Sequence, residues 1–86
     1  MQLAKYVKFR EEKFGAVLFE TRSEKVYTLN PTAAAVVREI VAGHDEREIV
    51  STLKERFDDT GDAVEAEVRA FIADLRDKGL LDGTAP

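Results

Sequence analysis

The sequence predicts an α+β domain in which a three-stranded antiparallel sheet is followed by three helices. Three observations lead to this prediction. Over the first 29 residues, apolar residues alternate with polar ones or form short runs, as they do in strands. From Asn30 onwards they recur at helical spacing. Polar or glycine-containing breaks separate the segments, and 86 residues leave room for only one core.

Three strands are predicted in the first third of the chain. Residues 3–9 alternate between apolar and polar, and the charged residues 10–13 with Phe14 and Gly15 predict a turn. Residues 16–21 are more continuously apolar, which predicts a central strand covered on much of both faces. A polar hairpin loop at 22–25 leads to the third strand at 26–29. Short connections favour an antiparallel meander, in which the third strand is an edge.

Two helices follow directly. Asn30 is suited to the N-cap and Pro31 to the first helical position. The apolar stripe of this helix is expected to end at Gly43. Asp45 is expected to cap the second helix, with Glu48 completing a capping box. The apolar residues of the two stripes are Ala34, Val37, Ile40 and Val41, then Ile49, Val50, Leu53 and Phe57.

A break at 58–62 precedes the third helix, which Thr60 or Asp62 is expected to cap. Gly79 is the predicted end of this helix. Leu80 and Leu81 are expected to fold back on the core, so that one domain covers residues 1–81 and a frayed tail covers 82–86. The broad apolar face of the third helix comprises Val64, Val68, Phe71, Ile72 and Leu75.

The composition excludes several classes of function. No cysteine is present, so disulfides and thiolate metal sites are excluded, and a reducing cytoplasm is the expected location. The N-terminus is too polar for a signal peptide. A net charge of −4 argues against a polyanion as the main partner. His44 is the only histidine and has no neighbouring catalytic partner in sequence. We therefore expect a protein that is not an enzyme and that holds no cofactor or metal.

Four ordered features carry a family resemblance. They are the Leu29-Asn30-Pro31-Thr32-Ala33 junction, Gly43 at the end of the first helix, Glu48-Ile49 at the start of the second, and the closing Lys78-Gly79-Leu80-Leu81. Over roughly residues 15–81 the chain resembles the PqqD-like family, the relatives of pyrroloquinoline quinone biosynthesis protein D that are also called RiPP recognition elements. The order of strands and helices is also similar to that of a winged helix-turn-helix.

The resemblance implies a non-catalytic chaperone. Family members bind the leader segment of a ribosomally made precursor peptide and present it to a modifying enzyme, often a radical SAM protein. The leader adds a strand to the third β-strand, in a groove shared with the third helix. The junction looks more like that of stand-alone members, including lasso peptide leader-binding proteins, than like that of the quinone pathway member.

The residues themselves support the same site. An edge strand presents unpaired N–H and C=O groups that an extended peptide can pair with, and apolar side chains of a neighbouring helix can add contacts. In the third helix, Ile72 and Leu75 fit the core better than the site. Val64, Val68, Phe71 and Tyr27 fit either role. Glu67 and Asp74 fit a solvated surface, and a basic leader could also pair with them. The candidate peptide-binding residues are Lys25, Val26, Tyr27, Thr28, Leu29, Val64, Glu67, Val68 and Phe71.

Two other functions stay open at this point. The first is a winged-helix DNA-binding regulator, although the third helix carries more acidic than basic residues and no basic wing follows it. The second is a structural subunit of the modifying enzyme that makes no peptide contact. An open edge can also pair with its own copy, so both a monomer and a homodimer fit the sequence.

Overall fold

The structure is a computed structural model, and it describes residues 1–57 and 63–82. The strands are β1 (Gln2–Leu3), β2 (Val7–Glu12), β3 (Gly15–Glu20), β4 (Lys25–Leu29) and β5 (Leu81–Asp82), and the helices are α1 (Pro31–Val41), α2 (Glu46–Arg56) and α3 (Ala63–Asp77). The order β2-β3-β4 forms an antiparallel sheet, and β1 pairs with β5. The predicted fold class is confirmed. The predicted break at 58–62, its helix cap, and residues 83–86 of the tail lie outside the described residues.

The first two helices begin where the sequence predicts. The side chain of Asn30 accepts a hydrogen bond from the N–H of Ala33 at 2.8 Å, and Pro31 opens α1. Asp45 and Glu48 form the reciprocal capping box of α2, with bonds of 2.8 and 2.9 Å. These caps satisfy N–H groups that have no partner inside a helix.

The core lies between one face of the sheet and the helices, and α1 is its central helix. Four consecutive residues of α1, from Ala34 to Val37, are buried together with Ile40. Leu18 of β3 meets this helix with no exposed surface. Ile72, Leu75, Leu80 and Leu81 are buried, as predicted.

The prediction for the first strand was wrong in its extent. The chain turns at residues 4–6, because the N–H of Ala4 donates to the C=O of Leu80 at 2.9 Å and the Tyr6 hydroxyl donates to the C=O of Gly79 at 2.5 Å. Residues 10–12, predicted as a turn, belong to β2. Ion pairs of Arg10 with Glu12 and of Glu11 with Arg38 accommodate their charges on the strand.

Three expectations about burial were also wrong. The central strand β3 is covered on one face only, because none of the described helices lies against the face that carries Phe19, which is 36% exposed. Val41 and Phe57, placed in the apolar stripes of α1 and α2, are 58% and 44% exposed. Val41 and Phe57 are each the last residue of their stripe, at the end of a helix that extends past the core.

Candidate functional site

Strand β4 is an edge of the three-stranded sheet, as predicted. It pairs with β3 from Glu20↔Lys25 to Ala16↔Leu29, and no other described strand pairs with it. Its second row of backbone groups therefore has no sheet partner in the described part of the chain. Such a row is a template for an added strand.

The geometry at Gly15 indicates which backbone groups of β4 point outwards. A Cβ atom placed on Gly15 would lie 2.1 Å from the carbonyl oxygen of Leu29, so that oxygen points towards β3. In an antiparallel ladder, the N–H and C=O of one residue point to the same side, and the side alternates along the strand. Lys25, Tyr27 and Leu29 thus pair inwards, while Val26 and Thr28 present their N–H and C=O groups outwards.

The side chains of β4 alternate between the two faces of the sheet. Leu29 is 4% exposed and Tyr27 is half-buried, so both face the helices. Val26 and Thr28 face away from the helices and are exposed. Lys25 is exposed at the start of the strand and lines neither hollow described below.

A groove of about 300 Å³ lies between the open edge of β4 and helix α3. Its floor is apolar, because Leu29, Leu75 and Leu80 are buried beneath it. Its rim is polar on the helix side, where Lys78 lies 2.5 Å from Asp74 and its ammonium lies 6.0 Å from the centre of the Tyr27 ring. The groove is lined by Val26, Tyr27, Thr28, Leu29, Phe71, Asp74, Leu75, Lys78 and Leu80.

A smaller hollow of about 90 Å³ lies between α3 and the first turn of α1. Phe71, which is half-buried, lines both spaces, so the hollow adjoins the groove. Both lie beside α3 next to the open edge, and we call the two together the β4–α3 groove. The smaller hollow is lined by Asn30, Thr32, Ala33, Val36, Glu67, Val68 and Phe71.

The structure brings most of the predicted site residues together. Val26 to Leu29, Glu67, Val68 and Phe71 all line the β4–α3 groove. Val68 has no exposed surface, so it contributes to the core as well as to the wall. Val64 is partly buried against the core and lines neither hollow. These positions do not test peptide binding, so the assignment stays a prediction.

In the lower half of the groove, sequence reasoning considered Asp74 only as a possible partner for a basic leader and Leu75 only as core, and it missed Lys78. Asp74, Leu75 and Lys78 follow Phe71 at intervals of three and four residues, which is the spacing of one helix face. Extending the face beyond Phe71 would have found them. Leu80 was expected only in the core; it is buried, and it also lines the groove.

The described residues offer little for catalysis or metal binding. Among residues 1–57 and 63–82, no group of three or more histidine or carboxylate side chains is placed to hold a metal ion. His44 lies 3.6 Å from Glu39 and 3.7 Å from Glu48, away from the groove. No helix in the described part of the chain combines the length and the apolar character of a membrane span.

Fold and groove define a small α+β domain with an open sheet edge beside a helix. Residues 15–81 match the family model described as coenzyme PQQ synthesis protein D (PqqD). The chain belongs to the PqqD family.

Two solved structures share the fold. One is TbiB1 in complex with the TbiA(beta) leader peptide, with a TM-score of 0.87, 22% identity, and full coverage of both chains. The other is a lasso peptide synthetase B1 complexed with the leader peptide, with a TM-score of 0.80 and 24% identity. That match covers 92% of this chain and 93% of the other. The comparison with curated proteins gave no match.

Proposed function

We propose that this protein is a non-catalytic chaperone that binds the leader segment of a ribosomally synthesised precursor peptide and presents it to a modifying enzyme. The observation that carries the proposal is the open edge of β4 beside the apolar β4–α3 groove. The leader would add a strand to β4 by β-augmentation. Membership of the PqqD family and the leader peptides bound in two structures of the same fold support this function.

The backbone of β4 supplies only part of the binding energy. Val26 and Thr28 offer two N–H and two C=O groups, and a net hydrogen bond is worth about 1 kcal/mol. Micromolar affinity requires about 8 kcal/mol after the cost of ordering the peptide. Apolar leader side chains in the β4–α3 groove therefore supply the rest, at about 25 cal/mol per Å² of buried apolar surface.

The charges on β4 and along the groove favour particular leader residues. Lys25 at the start of β4 suits an acidic leader side chain, and so does Lys78 once it exchanges Asp74 for the peptide. Glu67 is exposed on the rim of the smaller hollow and suits a basic one. Exposed pairs of this kind contribute up to about 1 kcal/mol each, so they set register more than affinity.

The partner that receives the leader-bound precursor is a peptide-modifying enzyme, and a radical SAM protein is the specific candidate. The iron–sulfur chemistry would then belong to that enzyme, and this chain needs no cofactor. The absence of cysteine from the sequence is compatible with the cytoplasm as the location.

A DNA-binding function has less support. In α3, Arg69 pairs with Glu65 and Glu46, and Lys78, just beyond the helix, pairs with Asp74. The hydrogen bond to Glu65 and the charge of Glu46 raise the pKa of Arg69, which marks it as held by carboxylates. A helix of this charge is a poor surface for phosphates.

The test is an amide chemical-shift titration with the leader segment of the precursor encoded beside this protein. We expect the largest shifts in β4 and on the face of α3 from Val64 to Lys78. A leader with N-methyl groups at alternate residues tests the strand directly, because one of the two alternating sets should abolish binding and the other should not. Shifts centred on His44 or α2 would contradict the groove.

A further inference from the structure

The face of the sheet that points away from the helices carries an apolar patch on β3 and β4, bordered by cationic side chains on β2. The register places Lys8, Phe19 and Val26 in one row, and Arg10, Val17 and Thr28 in the next. Phe19 is 36% exposed and Val26 is 59% exposed. We call this surface the outer sheet face, and a shallow depression of about 440 Å³ lies on it, lined by Lys8, Arg10, Val17, Phe19 and Val26.

This patch differs from an ordinary solvated sheet face. Antiparallel sheets with one wet face place polar residues on it, and here adjacent strands place Val17, Phe19 and Val26 together. Single exposed apolar residues need no explanation, whereas contiguous ones mark interaction surfaces. The other exposed large apolar residues, Phe14, Val41 and Phe57, lie on a turn and at the ends of two helices.

The β2 side of the rim of the outer sheet face carries two cationic side chains, although the chain as a whole carries a net charge of −4. Lys8 makes no ion pair with any described residue, and Arg10 pairs with Glu12 at 2.8 Å. The complementary surface is therefore apolar at its centre and acidic at its rim. A second copy of this chain is a poorer occupant, because an isologous contact would bring the same cationic rim to both sides.

The outer sheet face is continuous with the edge that is proposed to bind the leader. Val26 and Thr28 present their side chains on this face and their outward backbone groups at the edge. A strand added to β4 would extend the same face by one strand, with alternate leader side chains on it. A protein docked there would touch the chaperone and the bound leader together.

We propose that the outer sheet face docks the peptide-modifying enzyme, through an apolar surface of that enzyme with carboxylates at its rim. This proposal rests on the proposed function, and the outer sheet face would be the surface through which the bound leader is presented to the enzyme. Leader and enzyme would then occupy different parts of one sheet, the β4 edge and its outer face. Loss of one contact need not cause loss of the other.

The experiment measures two affinities of the full chain: for the leader segment alone, and for the modifying enzyme from the same gene cluster, with and without leader. The variants are Phe19→Thr and Lys8→Glu, on strands β3 and β2. The matched controls are Val41→Thr, which also replaces an exposed apolar residue, and Arg47→Glu, which makes the same charge change on α2.

We expect Phe19→Thr and Lys8→Glu each to weaken enzyme binding at least tenfold while leader affinity changes less than twofold, and both controls to bind like the wild type. Enzyme binding unaffected by both variants would overturn the proposal, as would a wild-type chain that binds the leader but never the enzyme. A self-association that Phe19→Thr abolishes, with enzyme binding intact, would assign the face to a second copy instead. Failure of the wild type to bind leader would instead refute the proposed function.

Discussion

Gly15 controls the junction between the sheet and α1. Its φ of +147° is a conformation that residues with a Cβ rarely adopt. The hydrogen atom in place of a Cβ also leaves room for the backbone of Leu29 and Asn30, which lies where a side chain would start. The first residue of β3 thereby fixes how closely the end of β4 approaches that strand.

We expect Gly15→Ala to destabilise the domain by about 3 kcal/mol or more, because backbone strain of about 1–3 kcal/mol adds to a clash at 2.1 Å with the Leu29 oxygen. Gly43→Ala is the matched control. Gly43 has a φ of +98°, and no atom of the described residues lies within 4 Å of the added Cβ, so it carries the strain without the clash. Urea unfolding measures both, and equal losses for the two variants would contradict the steric explanation.

Glu20 is the one buried charged residue among those described, with 9% of its surface exposed. The hydrogen bond from the Ser23 hydroxyl lowers the pKa of this carboxyl, and so do the Arg22 and Ser23 N–H groups and the Arg22 charge, against the opposing effect of burial. Because the folded pKa lies below the ordinary value of 4.5, this carboxylate stabilises the fold above that pH. The stabilisation is lost as the pH falls through the folded pKa.

We therefore expect Glu20→Gln to be less stable than the wild type at neutral pH, and the difference to shrink as the pH falls below 4.5. Urea unfolding at a series of pH values from 7 to 3 measures it. Glu24→Gln in the same loop is the control, since Glu24 is exposed and forms no ion pair with the described residues. If the stability difference between Glu20→Gln and the wild type did not change with pH, the charge of Glu20 would not contribute to stability.

At the scale of elements, the sequence predicts those features of helices and strands that depend on residues close together in the chain. The caps at Asn30 and Asp45 were predictable because a side chain and the N–H three residues on define them locally. The position of β4 at the edge followed from short connections. The exposure of Phe19 was not predictable, because alternation gives two faces and does not say whether the second is covered.

The two backbone orientations of β4 lead to opposite proline effects. Thr28→Pro should weaken leader binding by at least about fivefold, because it removes an outward N–H donor worth about 1 kcal/mol. Tyr27→Pro should instead damage the fold, since that N–H pairs with β3. Isothermal titration and thermal unfolding separate the two effects.

Thr28→Val is the control for this pair, because it keeps the N–H and alters only a side chain on the outer sheet face. We expect its leader affinity to match that of the wild type. If Thr28→Pro unfolds the domain while Tyr27→Pro stays folded and binds poorly, the assigned alternation of β4 is reversed.

At the scale of the whole molecule, the missed features are contacts between distant parts of the sequence. The pairing of β1 with β5 joins residues near both ends of the described chain. A two-residue strand is too short to show a sequence pattern that would predict this pairing. Asp74 and Lys78 became groove residues only because α3 lies beside β4. Local periodicity identifies a helix face, and tertiary packing decides what that face meets.

The contact between Tyr6 and Gly79 connects the two ends to the groove. The Tyr6 hydroxyl donates to the C=O of Gly79 at 2.5 Å, next to Lys78 and Leu80 of the groove wall, and Arg22 lies 3.5 Å above the Tyr6 ring. The N-terminal segment thereby holds the C-terminal end of α3 in place. Tyr6 lies 73 positions from Gly79 in the sequence and does not line the groove. We nevertheless expect it to affect the shape of the groove through this hydrogen bond.

We expect Tyr6→Phe to lower stability by about 1 kcal/mol, a fall of about 4–8 °C in Tm, and to increase amide exchange at Leu80 and Leu81, because the Gly79 carbonyl loses its donor and the ring remains. Tyr27→Phe removes the same atom from a hydroxyl that makes no hydrogen bond with the described residues, so its Tm and exchange should match the wild type. Leader affinity should fall in Tyr6→Phe, because a looser end of α3 must be ordered again on binding. Faster exchange at Leu80 with unchanged leader affinity would mean that the groove is shaped without the N-terminal segment.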